Sequence, residues 1–249
     1  MRVPDPKFPL VRSRRMQGFT LLELLVVIAV IAILLGFVGL NLTGGGAAGM
    51  GAAQRTFCSM LQQTRIQAIM NGSEARLLVF DEPNDEEKYH RFLRVVVWID
   101  EPYKDLNAND QYDSGETFLD VDGNGGHNKA WIPKGDGVYL PDGVYVVPEQ
   151  ADFTDLAILG PEEKWDPDAY SEWAGEEVFL FGKHDPQSYC YISFTSRGTT
   201  GICKVALTVA EPQPNEKGMS YRFTNPSDVI GLRTRPYGSY ELLSSVHDF

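Results

Sequence analysis

The sequence has few of the residues that build reactive or metal-binding centres. Only three of its 249 residues are cysteine and four are histidine. Three cysteines are too few for a disulfide scaffold and do not have the spacing of zinc ligands, and the histidines form no pair of the HxxxH kind. A Gly-x-Ser-x-Gly elbow and a recognisable Cys–His signature are also missing from the sequence. We therefore expect a protein that is not an enzyme, because no catalytic constellation assembles.

Basic residues are scarce as well. The chain has 22 Lys and Arg against 34 Asp and Glu, so its net charge is −12. The balance is uneven, because residues 1–18 carry five basic side chains and one acidic one and so have a charge of +4. Without this segment, the rest of the chain has a charge of −16. Such a surface repels nucleic-acid phosphates and attracts cations, so we expect no nucleic-acid partner.

One long apolar run is present. Every residue from Leu24 to Leu40 is apolar or glycine. Together with the residues from Phe19 onward, the run makes a helix of about 22 residues, which spans a hydrocarbon layer of roughly 30 Å. The basic residues ahead of it predict a single pass with a cytoplasmic N-terminus. Glu23 interrupts the run, and an ionisable residue at that depth is a functional candidate by default.

The residues around Glu23 resemble a known signal. A basic leader, followed by Gly18-Phe-Thr-Leu-Leu-Glu23 and an aliphatic helix, resembles the class III signal of type IV pilins and pseudopilins. The resemblance implies that a prepilin peptidase cuts between Gly18 and Phe19 and methylates the new N-terminus. It also implies that Glu23 neutralises the ammonium group of a neighbouring subunit in the apolar bundle. The implied partners are other pilins or pseudopilins, the prepilin peptidase and the lipid of the inner membrane.

The same resemblance divides the chain into segments. Residues 1–18 are a leader that is removed, 19–42 are a transmembrane and assembly helix, and 43–51 are a glycine-rich, flexible stem. Residues 52–249 are the head, which is expected on the periplasmic or extracytoplasmic side of the inner membrane. Many pilins carry a proline in the membrane helix, where this chain has Leu40, and the glycines near the stem supply the helix-weakening residues instead.

The pattern of the head is typical of a helix followed by strands. Residues 52–71 predict an amphipathic helix that ends at Asn71-Gly72. Its predicted apolar face holds Phe57, Leu61, Thr64 and Ala68. Cys58 lies beside this face and is predicted to be a core thiol.

Segments rich in β-branched and aromatic residues predict the strands of the head. They are 75–80, 91–99, two short strands within 138–147, and then 189–195, 202–209, 219–224 and 229–234. Pro-Asp-Gly at 141–143 and Ser-Arg-Gly-Thr-Thr-Gly at 196–201 predict turns between neighbouring strands, and the last two strands are expected to pair. A long helix followed by an antiparallel sheet gives an α+β, pilin-like fold. Residues 81–90, 100–135 and 149–177 are expected to be insertions.

The order of these elements resembles one group of pilin-like proteins. The helix with residues 63–69, the stretch Leu140-Pro-Asp-Gly-Val144 and the stretch Ile192–Gly198 are similar to the H-type minor pseudopilins (the GspH/FimT family) of type II secretion. The resemblance implies a structural subunit at or near the tip of a short filament. Two alternatives remain open. One is a minor pilin for DNA uptake, with Arg222, Arg233 and Arg235 as a weak basic patch, and the other is an unprocessed membrane-anchored surface protein that binds calcium or hydrolyses a substrate.

The insertion at residues 100–135 carries a candidate calcium site. Its stretch 105–116 has oxygen-bearing side chains at the spacing of an EF-hand loop. The candidate ligands are Asp105, Asn107, Asn109, Gln111 (through its carbonyl), Asp113 and Glu116. Position six of an EF-hand loop is usually glycine, whereas this chain has Asp110, which tolerates positive φ better than most residues. No flanking helices are predicted, and the alternative is a solvated Asp/Asn-rich turn.

A second stretch, Asp120-Val-Asp-Gly-Asn-Gly125, begins in the same way. Trp131 stands where the closing glutamate would be, so this stretch could lend a ligand, but a second complete site is not expected. Finally, Cys190 and Cys203 flank a predicted hairpin turn. An oxidising compartment would allow a disulfide between them if the two residues lay directly opposite each other, with Cα atoms roughly 5.5 Å apart.

Overall fold

The computed structural model describes residues 47–147, 176–179, 186–215, 218–223 and 229–245, together with Ile28 and Asp248. The chain divides into two compact units, Met1–Thr43 and Gly44–Phe249. The predicted processing residues Gly18 and Phe19, the assembly residue Glu23 and, except for Ile28, the predicted membrane helix 19–42 lie outside the described residues. Of the helices that are described, none is both long enough and apolar enough to cross a lipid bilayer.

The head begins with one helix, α1 (Ala47–Asn71). It starts five residues before the predicted residue 52, so residues 47–51, which were predicted to be a flexible stem, are helical. Packing explains the difference, because Met50 is buried in the core and this burial outweighs the low helix propensity of the glycines beside it. The predicted apolar face is confirmed, since its residues are all buried. The helix ends as predicted, with Gly72 at φ 59° and paired bonds from Gly72 N to Ile69 O and from Ser73 N to Ala68 O.

Eleven strands are described, in two antiparallel sheets. The first sheet has the order β3-β2-β1-β7-β6, with β4 also beside β2. Its strands are β1 (Ala75–Phe80), β2 (Phe92–Asp100), β3 (Lys129–Pro133), β4 (Val138–Tyr139), β6 (Glu176–Phe179) and β7 (Gln187–Phe194). The second has the order β11-β10-β8-β5, with β9 also beside β8. Its strands are β5 (Val144–Val147), β8 (Lys204–Asn215), β9 (Gly218–Phe223), β10 (Val229–Thr234) and β11 (Tyr240–Leu243).

The helix and both sheets share one core. Apolar residues of α1, such as Phe57 and Leu61, pack in one cluster with residues of β1 and β2 from the first sheet and of β5, β8 and β10 from the second. The alternate residues of β1 face the other way, where Leu78 and Phe80 pack with residues of β2, β6 and β7. The predicted α+β class is therefore confirmed.

The predicted strands are present, but the pairing expected for neighbours in sequence is wrong. The turn at 141–143, with Gly143 at φ 77°, separates β4 of the first sheet from β5 of the second. The turn at 196–201 separates β7 from β8 in the same way. Strands β9 and β10 each pair with β8 and not with each other. The turns at 141–143 and 196–201 therefore each carry the chain from the first sheet to the second. They do so because the apolar faces of both sheets must reach the same helix.

This topology also overturns the proposed disulfide. Cys190 lies on β7, opposite Val79 of β1 and Glu176 of β6, whereas Cys203 directly precedes β8 of the other sheet. The two residues are therefore not cross-strand neighbours, and both are buried cysteines with no disulfide between them. Cys58 is also buried, as predicted, and this burial raises the pKa of its thiol.

Candidate functional site

The candidate calcium site lies in the connection between two neighbouring strands of the first sheet. Strands β2 and β3 pair from Val96 opposite Pro133 to Asp100 opposite Lys129, so the segment between them leaves the sheet and returns to the same point. The predicted insertion 100–135 therefore contains β3, which the strand pattern did not reveal.

An internal contact divides this segment into two loops. Tyr103 and Phe118 form an isolated antiparallel bridge, and the backbone bond from Lys104 N to Thr117 O, 2.8 Å long, lies beside it. The first loop (residues 105–116) is closed by this bridge. The second loop (residues 120–128) follows it directly and leads into β3. The predicted calcium ligands all fall in the first loop.

The first half of the first loop is organised by one carboxylate. Asp105 accepts backbone N–H groups with both oxygens: Oδ1 from Asn107 at 3.1 Å and from Ala108 at 2.6 Å, and Oδ2 from Asp110 at 2.8 Å. These bonds, that from Asp110 most of all, lower the pKa of Asp105 below its ordinary value of 3.8, so the group is ionised at neutral pH. Asp110 has φ 59°, which confirms that aspartate at position six can make the turn for which glycine is usual.

The second half of the loop brings the remaining candidates together. The side-chain amides of Asn107 and Asn109 both donate to Oδ2 of Asp113, at 2.7 and 2.9 Å. The carboxylate of Glu116 is only 8% exposed, and its two oxygens accept the backbone N–H groups of Leu106 and Asp113, at 2.8 and 3.0 Å. Glu116 therefore joins the start of the loop to its end, as the closing residue of a calcium loop does.

Gln111, predicted to contribute its carbonyl, is tied into the same loop. Its backbone N–H donates to Oδ1 of Asn109 at 2.8 Å. The first loop thus folds around its candidate ligands without flanking helices, since β2 precedes it and the second loop follows it.

The second loop lies beside a residue that sequence analysis missed, Glu101. One carboxylate oxygen each from Glu101, Asp120 and Asp122 lies within 4.8 Å of the others. Glu101 precedes the loop in the chain and is 1% exposed. No contiguous motif includes it, because the β2–β3 pairing carries it to the loop. The signal that could have found it is the acidic pair Asp100-Glu101 at the end of a strand that leads into an acidic connection.

Two of the three basic residues considered for DNA binding lie beside an acidic side chain. Arg233 and Arg235 both lie near the carboxylate of Glu241, with nitrogen–oxygen distances of 4.0 and 2.5 Å. The side chain of Arg222 lies outside the described residues. A basic side chain that is already paired with an acid offers little attraction to a phosphate.

Residues 13–39 match the prokaryotic N-terminal methylation motif. The minor pseudopilin EpsH from the type 2 secretion system of Vibrio cholerae is similar in structure, with a TM-score of 0.34, 13% identity, and coverage of 80% of this chain and 97% of that chain. A likeness at this level carries no conclusion about function. A comparison with curated protein sequences found no significant match. The match to this motif confirms the resemblance of the N-terminal segment to the class III signal of type IV pilins and pseudopilins.

Proposed function

We propose that the protein is a minor pseudopilin, a structural subunit of a type II secretion or type IV pilus-like filament that is assembled from the inner membrane. The N-terminal methylation motif at residues 13–39 carries the proposal. The α+β head, in which a helix packs against antiparallel sheets, agrees with it. In this proposal the head lies on the periplasmic side, and the work of the protein is assembly and not catalysis.

The motif contains the groups that assembly would need. Cleavage before Phe19 creates an ammonium group that must enter an apolar helix bundle together with Glu23. Two unpaired charges in that medium would be costly, whereas a carboxylate of one subunit beside the amino group of another neutralises both. Such a pair also fixes the register of one subunit against the next. The same residues would thus serve the peptidase first and the filament afterwards.

The mature N-terminus tests this proposal. In cells that contain a prepilin peptidase, mass spectrometry of the membrane-bound protein should find a chain that begins with N-methylated Phe19. Cells that lack the peptidase are the control and should keep the leader. An intact leader in the first strain, or a cut near Ala48, would contradict the proposal and favour an unprocessed anchor.

We also propose that the first loop binds calcium and thereby orders the connection between β2 and β3. The arrangement of Asp105, Asp113 and Glu116 supports this, because their hard oxygen atoms are held at the two ends of one loop. Asp105 and Glu116 accept backbone N–H groups of the loop, and Asp113 accepts its side-chain amides. Oxygen donors of this kind suit calcium, and a weak site with a dissociation constant on the order of 10⁻⁴–10⁻³ M would fill where calcium is abundant.

Calorimetric titration of the full-length protein in detergent tests the calcium proposal. The native chain should bind calcium in the millimolar range or tighter, and Glu116→Gln should remove that binding at the first loop because it removes the closing carboxylate. Glu87→Gln is a matched control, since Glu87 is exposed and lies outside both loops. Equal binding by the native chain and Glu116→Gln would refute the site.

A further inference from the structure

We propose that the second loop, closed by Glu101 from outside the loop, is a second divalent-cation site. The proposal concerns the head alone and does not depend on the role of the protein in a filament. It rests on the grouping of carboxylates at this loop, on their charge balance and on a match with the first loop in hydrogen bonding.

The beginning of the second loop repeats the beginning of the first. Asp120 at position one accepts the N–H of Gly125 at position six, with a distance of 2.9 Å against 2.8 Å in the first loop. Asp122 at position three accepts the N–H of Asn124 at 3.1 Å, the same distance as in the first loop. Asn124 in turn accepts the N–H of Gly126 at 2.7 Å. Gly125, with φ 80°, is the residue that position six favours.

The closing residue differs in origin but not in its contacts. In the first loop, the two oxygens of Glu116 accept the N–H groups of positions two and nine. In the second loop, Glu101 does the same: Oε1 accepts from Val121 at 2.6 Å and Oε2 from Asn128 at 3.3 Å. Glu101 therefore occupies the place of the glutamate at position twelve, where this loop has Trp131.

The three carboxylates at the second loop form a cluster of negative charge that a cation would neutralise. An oxygen of Asp120, Oδ1, is fully buried and accepts no hydrogen bond, and Glu101 is almost fully buried. Within the described ranges, no Lys, Arg or His forms an ion pair with Glu101, Asp120 or Asp122. Clustered carboxylates, one of them buried and two partly buried, repel one another, and a divalent cation between them would remove this repulsion.

The distances fit calcium. Protein oxygens bind calcium at 2.3–2.6 Å. Oxygens that bind one such ion from opposite sides are therefore separated by roughly twice that distance. The three carboxylate oxygens lie within 4.8 Å of one another, so all three can reach a single ion.

The two loops also contact each other at equivalent positions. Tyr112 and His127 both stand at position eight of their loops, and their rings stack with centroids 4.0 Å apart and planes 15° apart. Tyr103 and Phe118, which form the bridge between the loops, pack edge-on against the same histidine. Binding in one loop is thus placed to stiffen the other, because a shared aromatic cluster holds both.

Calcium titration of full-length protein, first stripped of metal with a chelator, tests the second site. The native chain in detergent should bind two equivalents of calcium. Asp122→Ala and Glu101→Gln should each bind one, and so should Glu116→Gln, while the combination of Asp122→Ala with Glu116→Gln should bind none. Asp122→Ala removes the ligand oxygens of a side chain that is only partly buried, so it tests the site even if the buried Glu101→Gln does not fold.

No binding by the native chain, or retention by Asp122→Ala of every equivalent that the native chain binds, would overturn the second site. The same titration separates this proposal from the first-loop proposal. If only Glu116→Gln retains the full number of equivalents bound by the native chain, the first loop is not a site and the second loop binds alone. If only Asp122→Ala and Glu101→Gln retain it, the second loop is not a site.

Discussion

The close contact at Gly238 lets us predict how much the stability of the head depends on the meeting of the helix with a turn of each sheet. Gly238 lies in the turn between β10 and β11 with φ +72°, and a Cβ added there would be 2.3 Å from the carbonyl oxygen of Gly198 and 2.6 Å from Nε of Arg65. Gly198 lies in the turn after β7, and its carbonyl accepts a hydrogen bond from Arg65 Nε of α1 at 3.2 Å. One point therefore joins the helix to a turn of each sheet, and the backbone of Gly198 leaves no room there for a methyl group.

Gly238→Ala should destabilise the head in two ways. A left-handed conformation at a residue with a Cβ costs roughly 1–2 kcal/mol. Forcing an extra methyl into a packed contact costs about 1–3 kcal/mol more, so the free energy of unfolding should fall by about 2–5 kcal/mol in total. Gly135→Ala is the matched control, because Gly135 has φ +91° and nothing within 4 Å of the added Cβ. In this control, the free energy of unfolding should fall only by the cost of the left-handed conformation, roughly 1–2 kcal/mol.

Thermal unfolding of the full-length variants in detergent, followed by tryptophan fluorescence, measures the difference. Trp98 and Trp131 lie on neighbouring strands of the first sheet with ring centroids 5.3 Å apart, so their emission should report unfolding of the head. For a domain of about 200 residues, 1 kcal/mol shifts Tm by about 2–4 °C, so Gly238→Ala should melt about 2–12 °C below Gly135→Ala. Equal melting temperatures would refute the argument from close contact and leave only the backbone conformation.

Three further predictions concern assembly, acid and DNA. Glu23→Val should leave cleavage and membrane insertion intact but prevent co-purification with other pilins, because loss of one partner of a buried pair costs roughly 3–5 kcal/mol; normal co-purification would contradict the pairing. Asp105 and Asp122 have pKa values lowered from 3.8, so their ionised forms stabilise the fold above that pH, and this stability is lost as the pH falls through the lowered values. The calcium-free melting temperature should therefore drop below about pH 3.8, and Asp122→Asn should reduce that drop; an unchanged profile would count against the hydrogen-bonded carboxylates. Finally, gel shifts at two salt concentrations should show DNA binding weaker than about 10⁻⁶ M, and a tight complex would favour the DNA-uptake alternative.

Elements whose signals are local could be predicted from the sequence. The apolar face of α1 repeats at the helical period, and Asn71-Gly72 supplies a left-handed residue where the helix ends, so both were predicted correctly. Strand β1 was predicted to the residue, because six consecutive residues carry its pattern. The start of α1 was missed, because the burial of Met50 is a tertiary effect that low local propensity conceals.

Strand partners could not be predicted in this way. A turn signal such as Pro141-Asp142-Gly143 states that the chain reverses, but it does not state which strand will lie beside the next one. Strand β5 illustrates the difference, because all four of its residues are buried and it pairs with β8, more than 50 residues later in the chain. A short strand with so many buried residues requires cover on more than one side, and the neighbours that provide it come from distant parts of the sequence.

The two loops differ in the same way, because the candidate ligands of the first are close together in the sequence and one candidate ligand of the second is not. All candidate ligands of the first loop fall within twelve consecutive residues, so their spacing alone predicted it, and the contacts of Glu116 agree with that prediction. The second loop lacks a glutamate at position twelve, and by spacing alone it is incomplete. Glu101, 20 residues before Val121, reaches the loop because Asp100 pairs with Lys129 at the end of the β2–β3 ladder. A motif search along the chain therefore misses a closing carboxylate of this kind, since it needs only to reach positions two and nine of its loop and can arrive from either side.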